Sequence, residues 1–182
     1  MRRNLKVILF TRKNFNKLLK IKYIKKKINN LTIIYDNFSS NKDQLFKNNY
    51  DYIISYRSKK ILKKKFLKKA KIAALNFHPG PPEFRGIGCA NFAIMNKSKF
   101  YGFTLHLMDE KIDHGKILFC NKFKINYKTN LNFLLKKTYK LMSKYFIKLI
   151  NDISLNNFEK KYLNKKKKYK WSKKIYTKKQ ME

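Results

Sequence analysis

The sequence predicts an α/β fold: a single doubly wound, mostly parallel sheet flanked by helices. Three observations predict it. Short apolar runs alternate with lysine-rich stretches from residue 6 to residue 77, in the order β-α-β-α-β-α-β. That alternation is how parallel strands joined by crossover helices read in sequence. The fourth apolar run stops at Gly80-Pro81-Pro82, since proline donates no backbone hydrogen bond. At 182 residues the chain fits one domain with room for a core.

Residues 6–11 (KVILFT) form the first strand, and a lysine-rich helix follows with Phe15, Leu18, Leu19 and Tyr23 at helical spacing. Residues 31–35 form the second strand. The stretch 37–41 is turn-rich, and Ser40 or Asn41 suits the cap of a short helix running to about Phe46. Residues 51–55 form the third strand, and 61–69 a helix leading into the central strand over 72–77, apolar apart from Asn76. Residues 91–96 form a short helix, and 101–108 and 116–125 form two more strands. A long amphipathic helix starts near Thr129 or Asn130, either a good N-cap. Leu131, Leu134, Leu135, Met142, Tyr145, Phe146, Leu149, Ile150 and Ile153 share one face of it, a stripe that packs a core.

Composition narrows the function. The net charge is +36, and all but five of the 46 basic residues are lysine. Lysine, asparagine, isoleucine, phenylalanine and tyrosine share A/T-rich codons, so base bias accounts for the charge. A nucleic-acid surface is the alternative, but the lysines are spread through every segment. Non-specific polyanion binding follows physically from either. The longest apolar runs are four residues, so no membrane span is expected, and no secretory segment is read at the basic N-terminus. Cys89 and Cys120 form no disulfide framework and no metal-ligand spacing, so metal-free chemistry in a reducing cytoplasm is expected.

The candidate site lies at two strand ends. Asn76 and His78 close the central strand just before the stiff 79–82 loop, the end of an open α/β sheet where ligands bind. The next strand ends in an acidic turn that carries Asp113. Taken singly, each has an ordinary reading: a capping Asn, a satisfied loop His, a turn Asp. His106 reads as a structural mid-strand residue, and Asp109 and Glu110 as residues that shape the turn.

Taken together, Asn76-x-His78-Pro79, then Arg85-Gly86, then a strand, then Asp109-Glu110-x-x-Asp113-x-Gly115 resemble the formyltransferases that use 10-formyltetrahydrofolate. That family includes glycinamide ribonucleotide, methionyl-tRNA and sugar-nucleotide N-formyltransferases and the formyltetrahydrofolate hydrolases. The resemblance is good over residues 50–125. On it, residues 1–160 are the catalytic domain and 161–182 a basic tail. Moving a formyl group to an amine makes its oxygen negative, and fixed donors around that oxygen lower the barrier. Asn76 and a protonated His78 can donate to it, while Asp113 favours the charged imidazole and passes protons through a water. The resemblance assigns the same roles. It also implies that Lys60, Ile61, Leu62, Lys111, Ile112 and Asp113 hold the folate co-substrate, mostly by backbone groups.

Two departures from the family pattern bear on the acceptor. The loop after His78 reads Gly-Pro-Pro-Glu instead of the commoner Ser-Leu-Leu-Pro. Beside it, Arg85 and Gly86 are the acceptor wall, with Arg85 meeting an anion or, alternatively, pairing with Glu83. The first strand-to-helix turn, Thr11-Arg12-Lys13-Asn14, lacks the glycine that lets backbone cradle a phosphate, which leaves the Arg12 and Lys13 side chains. This weakens a ribonucleotide acceptor. Methionyl-tRNA formylation usually comes with a separate C-terminal domain, and the chain ends short of one. A nucleotide-linked amino-sugar remains by elimination, its phosphates held by Arg12, Lys13, Arg85 and the tail, where Tyr169 or Trp171 stacks the base. The reading from another class is an inactive basic relative that binds nucleic acid.

Overall fold

Period-two alternation decides which face each strand buries. The computed structural model describes residues 4–36, 45, 47–164 and 169–181. Strands β1 (Lys6–Thr11), β2 (Asn30–Tyr35), β3 (Tyr50–Tyr56) and β4 (Ala70–His78) are mutually parallel, in the spatial order β2-β1-β3-β4. This is the doubly wound half that the sequence predicts.

Beyond β4 the sheet reverses. A two-residue strand, β5 (Arg85–Gly86), lies apart from it, and β6 (Phe100–Leu107) then runs antiparallel to β4. β7 (Ile117–Lys124) runs antiparallel to β6 and completes a six-stranded mixed sheet. The connection over 108–116 is too short for the crossover that a parallel pair needs.

The helices fit less closely than the strands. The segment after β1 is a 3-10 turn (Lys13–Phe15) followed by α1 (Ile21–Lys27), with Lys20 between them in the left-handed region. Phe15, Leu19 and Ile24 still face the core. The helix expected over 61–69 shrinks to α2 (Lys64–Leu67). It has no capping side chain and no acid in its first turn, and its lysines repel one another. Residues 60–63 therefore take no regular secondary structure. The helix expected to start at Ser40 or Asn41 lies outside the described residues. α3 (Cys89–Met95) begins two residues early. α4 (Leu131–Ser154) is as expected, with the Asn130 side chain accepting from the Phe133 N–H at 2.9 Å.

On one face of the sheet, Val7, Leu9, Ile54, Leu75, Phe77, Phe103 and Leu105 pack under Met142, Phe146, Leu149, Ile150 and Ile153 of α4. Ile8, Phe10, Ile53 and Ala74 point the other way, onto Tyr50 and Phe66. Because Leu75 and Phe77 are committed to the α4 core, Asn76 and His78 must point to the opposite face. The C-terminal segment packs back against the domain. Its strand β8 (Ile175–Tyr176) pairs with β5, and Tyr176 stacks on Phe92 with ring centroids 4.3 Å apart.

Candidate active site

The strand register brings Asn76 opposite His106, and the turn after β6 folds Asp113 back over both. Asp113 has φ 45°, and two residues on Gly115 lies so near the Leu107 carbonyl that a Cβ would approach its oxygen to 2.0 Å. The turn can close this tightly only with glycine there. His78 Nδ1 then stands 3.1 Å from Asp113 Oδ2, with the histidine 2% exposed and the aspartate 7%. Asn76 Nδ2 donates to Asp113 Oδ1 at 3.4 Å, and the Gly86 N–H donates to Asp113 Oδ2 at 3.0 Å. Asn76, His78 and Asp113 thus meet, as the motif suggests.

His106 joins them. Its Nε2 is 3.1 Å from Asn76 Nδ2 and 3.4 Å from Asp113 Oδ1, while its Nδ1 faces the Leu107 carbonyl at 2.7 Å. A carbonyl only accepts, so Nδ1 carries the proton. The same logic applied to His78 gives its charge. Nε2 faces the Phe84 carbonyl at 2.8 Å and Nδ1 faces a carboxylate, so both nitrogens donate and the ring is an imidazolium. Burial disfavours that charge, but the Asp113 carboxylate outweighs it and raises the His78 pKa well above the usual histidine value. Burial likewise opposes the Asp113 charge. The His78 charge and the hydrogen bond from His78 overcome it and hold Asp113 well below the carboxylate range.

Lys60, Ile61, Leu62, Lys111, Ile112 and Asp113 line one cavity of about 770 Å³ together with Asn76, His78 and His106. Ile61 and Ile112, from opposite loops, are 76% and 54% exposed. Apolar side chains left open on two walls of a polar-ended crevice suit a flat heteroaromatic group such as a pterin, so the residues present fit a folate. Among the described residues no group of three His, Cys, Asp or Glu is arranged to hold a metal ion, and no helix is long and apolar enough to cross a membrane.

Of the cations expected on the acceptor side, Arg85 and Lys13 sit elsewhere. Arg85 is buried, donating from Nη1 to the Ser172 carbonyl at 3.2 Å and from Nη2 to the Ile112 carbonyl at 3.0 Å. It ties the C-terminal segment to the Asp113 turn and neither faces the crevice nor pairs with Glu83, which instead meets Lys122 at 2.5 Å. Gly86 and Arg12 do line the cavity, Arg12 with its Nε 3.3 Å from Asp36 Oδ2. Lys13 does not. Of the tail, residues 165–168 lie outside the description. Trp171 stands edge-on to both histidines, 5.7 Å from His78 and 5.1 Å from His106, and its Nε1 donates to the Gly115 carbonyl at 2.8 Å. It backs the imidazoles and is not part of the cavity wall.

The fold and this cluster define an α/β domain of group-transfer type, with buried donors gathered at a strand end beside an apolar-walled crevice. The chain belongs to the formyl transferase family, whose family model matches residues 21–150. It is 39% identical over 113 residues to the bifunctional polymyxin resistance protein ArnA of Wigglesworthia glossinidia brevipalpis, a stretch of 62% of this chain and 16% of that protein. It is 33% identical over 110 residues to the methionyl-tRNA formyltransferase of Clostridium tetani, covering 60% of this chain and 36% of the relative. The chain thus matches well under half the length of these relatives. Its structure resembles that of a 4-N formyltransferase from Francisella tularensis, with a TM-score of 0.71 and 27% identity over 94% of this chain and 77% of the other. An N-formyltransferase from Helicobacter canadensis, solved with folinic acid and dTDP-3-aminofucose, shares the fold with a TM-score of 0.77 at 19% identity, over 96% of this chain and 71% of that one.

Proposed function

We propose that the protein transfers a formyl group from 10-formyltetrahydrofolate to the primary amine of an amino-sugar nucleotide. The observation that carries the reading is the meeting of half-buried Asn76 with a buried imidazolium at His78 and a buried Asp113, beside a cavity that fits a folate. On this reading the Asn76 amide and the His78 ring donate to the formyl oxygen as it becomes negative. His78 Nε2–H, which faces the Phe84 carbonyl at 2.8 Å, turns to that oxygen. Losing either donor costs on the order of a hundredfold in rate. Asp113 keeps the imidazole charged. Its depressed pKa makes it a poor store for a proton, so it orients a water through which the proton shed by the amine reaches the departing nitrogen. Lys60, Ile61, Leu62, Lys111 and Ile112 hold the folate, and Gly86 and Arg12 stand on the acceptor side. When bound, the folate supplies the activated formyl group.

An amino-sugar acceptor is supported by the relative that is 39% identical over 69 residues, the GDP-perosamine N-formyltransferase of Brucella melitensis biotype 1, over 37% of this chain and 27% of that protein. The test is direct. Purified protein is given 10-formyltetrahydrofolate with a panel of amino-sugar nucleotides and, separately, methionyl-tRNA, and formylated product is read by mass spectrometry. Formylation of an amino-sugar nucleotide is expected. A folded sample that formylates only methionyl-tRNA refutes the acceptor, and one that formylates nothing and binds no reduced folate refutes the reaction.

A further inference from the structure

The carboxyl ends of β1 and β3 carry cations that the cluster around Asp113 does not use. Arg57 follows β3 immediately, in the left-handed region at φ 57°, and lines the cavity. Its guanidinium lies 4.8 Å from the centre of the Tyr139 ring on α4. Its Nε is buried with no hydrogen-bond partner, and among the described residues no carboxylate pairs with it. Arg12 and Lys178 reach the same cavity. The acid in this corner, Asp36, is already engaged by Arg12 Nε, Ser58 Oγ and the Lys59 N–H.

A guanidinium fixed on an aromatic face and left with an unsatisfied buried donor is prepared for an anion. Its place in the sheet says which anion. In the order β1-β3-β4-β6, Arg12 and Arg57 sit at the β1–β3 end, whereas Asp113 follows β6 on the far side of β4. A donor folate reaching from the Asp113 turn to the 60–62 loop, and an acceptor entering from the β1 side past Arg12 and Arg57, would meet at Asn76 and His78. The first strand-to-helix turn has no glycine to bring backbone N–H groups to a phosphate, so side chains must do that work here.

We infer that Arg57, with Arg12 and Lys178 beside it, forms an anion subsite for the diphosphate of the acceptor nucleotide. The inference rests on the amino-sugar-nucleotide reading above. The same chemistry would also suit the glutamate carboxylates of the folate, so the test separates the two sources.

Calorimetry on wild-type protein, Arg57→Gln and Arg57→Lys uses three probes: dTDP and GDP, which lack the sugar, and 5-formyltetrahydrofolate. Arg57→Gln should weaken diphosphate binding about tenfold or more and flatten its salt dependence, with Arg57→Lys recovering part of the loss. Folate affinity should stay within about twofold of wild type. Unchanged diphosphate binding in Arg57→Gln overturns the subsite. A loss confined to folate assigns Arg57 to the glutamate carboxylates and overturns it too. Wild-type protein that binds folate but neither diphosphate refutes the subsite while leaving formyl transfer standing. Protein that binds none of the probes refutes the reaction itself. Should Arg57→Gln fail to fold, wild-type protein answers the same question. Modification of Arg57 by an arginine-selective dicarbonyl, read by peptide mass mapping, should be slowed by dTDP or GDP and not by folate; equal labelling with and without diphosphate overturns the inference.

Discussion

Asp113→Asn tests the buried charge pair at its centre. The substitution keeps the shape of the side chain and its capacity to accept from the Gly86 N–H, but removes the charge that holds His78 protonated. The side chains are 3% and 7% exposed, so solvent screens the pair little. Removing one partner of such a pair costs about 3–5 kcal/mol, and the lower end applies because His78 can shed its proton. For a chain of this size each kcal/mol moves Tm by about 2–4 °C, so a drop of roughly 6–12 °C is expected. The pH dependence gives the sharper signature. The raised His78 pKa contributes stability that is full below about 6.5 and is lost as pH climbs through the folded value. The lowered Asp113 pKa contributes stability that is present above about 3.9 and is lost only in strong acid. The Tm gap between wild type and variant should therefore be widest near pH 5–6 and narrow towards pH 8–9. Thermal melts followed by circular dichroism at pH 5.5 and 8.5 measure it. A gap under about 2 °C at pH 5.5, or one that widens at pH 8.5, refutes the ion pair. At 25 °C the folded variant should lose about a hundredfold or more in formyl transfer.

Substitutions at two further positions probe the groups that hold this pair in place. Gly86→Ala should weaken the site and lower Tm together, because a Cβ at φ 97° would come within 2.2 Å of the Tyr176 carbonyl oxygen and push β8 away; an alanine variant with wild-type Tm and rate contradicts this. Trp171→Phe keeps a ring beside the imidazoles and loses the bond to Gly115, about 1 kcal/mol, whereas Trp171→Ala leaves both rings unbacked. The alanine variant should move the pH–rate profile and the phenylalanine variant should keep it, and coincident profiles would reduce Trp171 to packing.

How much was legible in the sequence follows from the range of each interaction. All six strands of the main sheet were legible, because each buries a short run whose neighbours are lysine and asparagine, and a cap at Thr129 or Asn130 was legible because a cap's partner lies only three residues on, Asn130 being the one that takes it. The helix after β1 starts later than its apolar spacing suggests and α2 is shorter, since spacing counts apolar positions and ignores repulsion between the lysines around them. The sheet reversal after β4 was missed for a related reason. Strand direction is set by the length and path of the connection, and an apolar run carries no arrow.

At the site, Asn76, His78 and Asp113 stand in a linear pattern, so their chemistry could be read in order. His106 could not be placed with them, because only the pairing of β4 with β6 puts it opposite Asn76. An alternating strand says that His106 is buried on one face; it does not say whose side chain shares that face. Arg85 shows the same limit more sharply. In sequence its neighbour is Glu83, two residues away, but its acceptors are the Ile112 and Ser172 carbonyls, 27 and 87 residues away. Once the guanidinium is buried, two fixed carbonyls take its Nη donors, whereas the exposed Glu83 carboxylate is already held by Lys122. Arg85 thereby becomes the link between the Asp113 turn and the C-terminal segment. That link explains how residues 169–181 of a lysine-rich stretch come to pack against the domain. Its aromatic residues bury what its lysines cannot: Tyr176 stacks on Phe92 and Phe84, and Trp171 backs two imidazoles. The imidazole of His78 thus packs against a residue more than ninety positions downstream, and Arg85 ties the same segment to the Asp113 turn; the pH–rate profile of Trp171→Ala measures how far the charge pair leans on that packing.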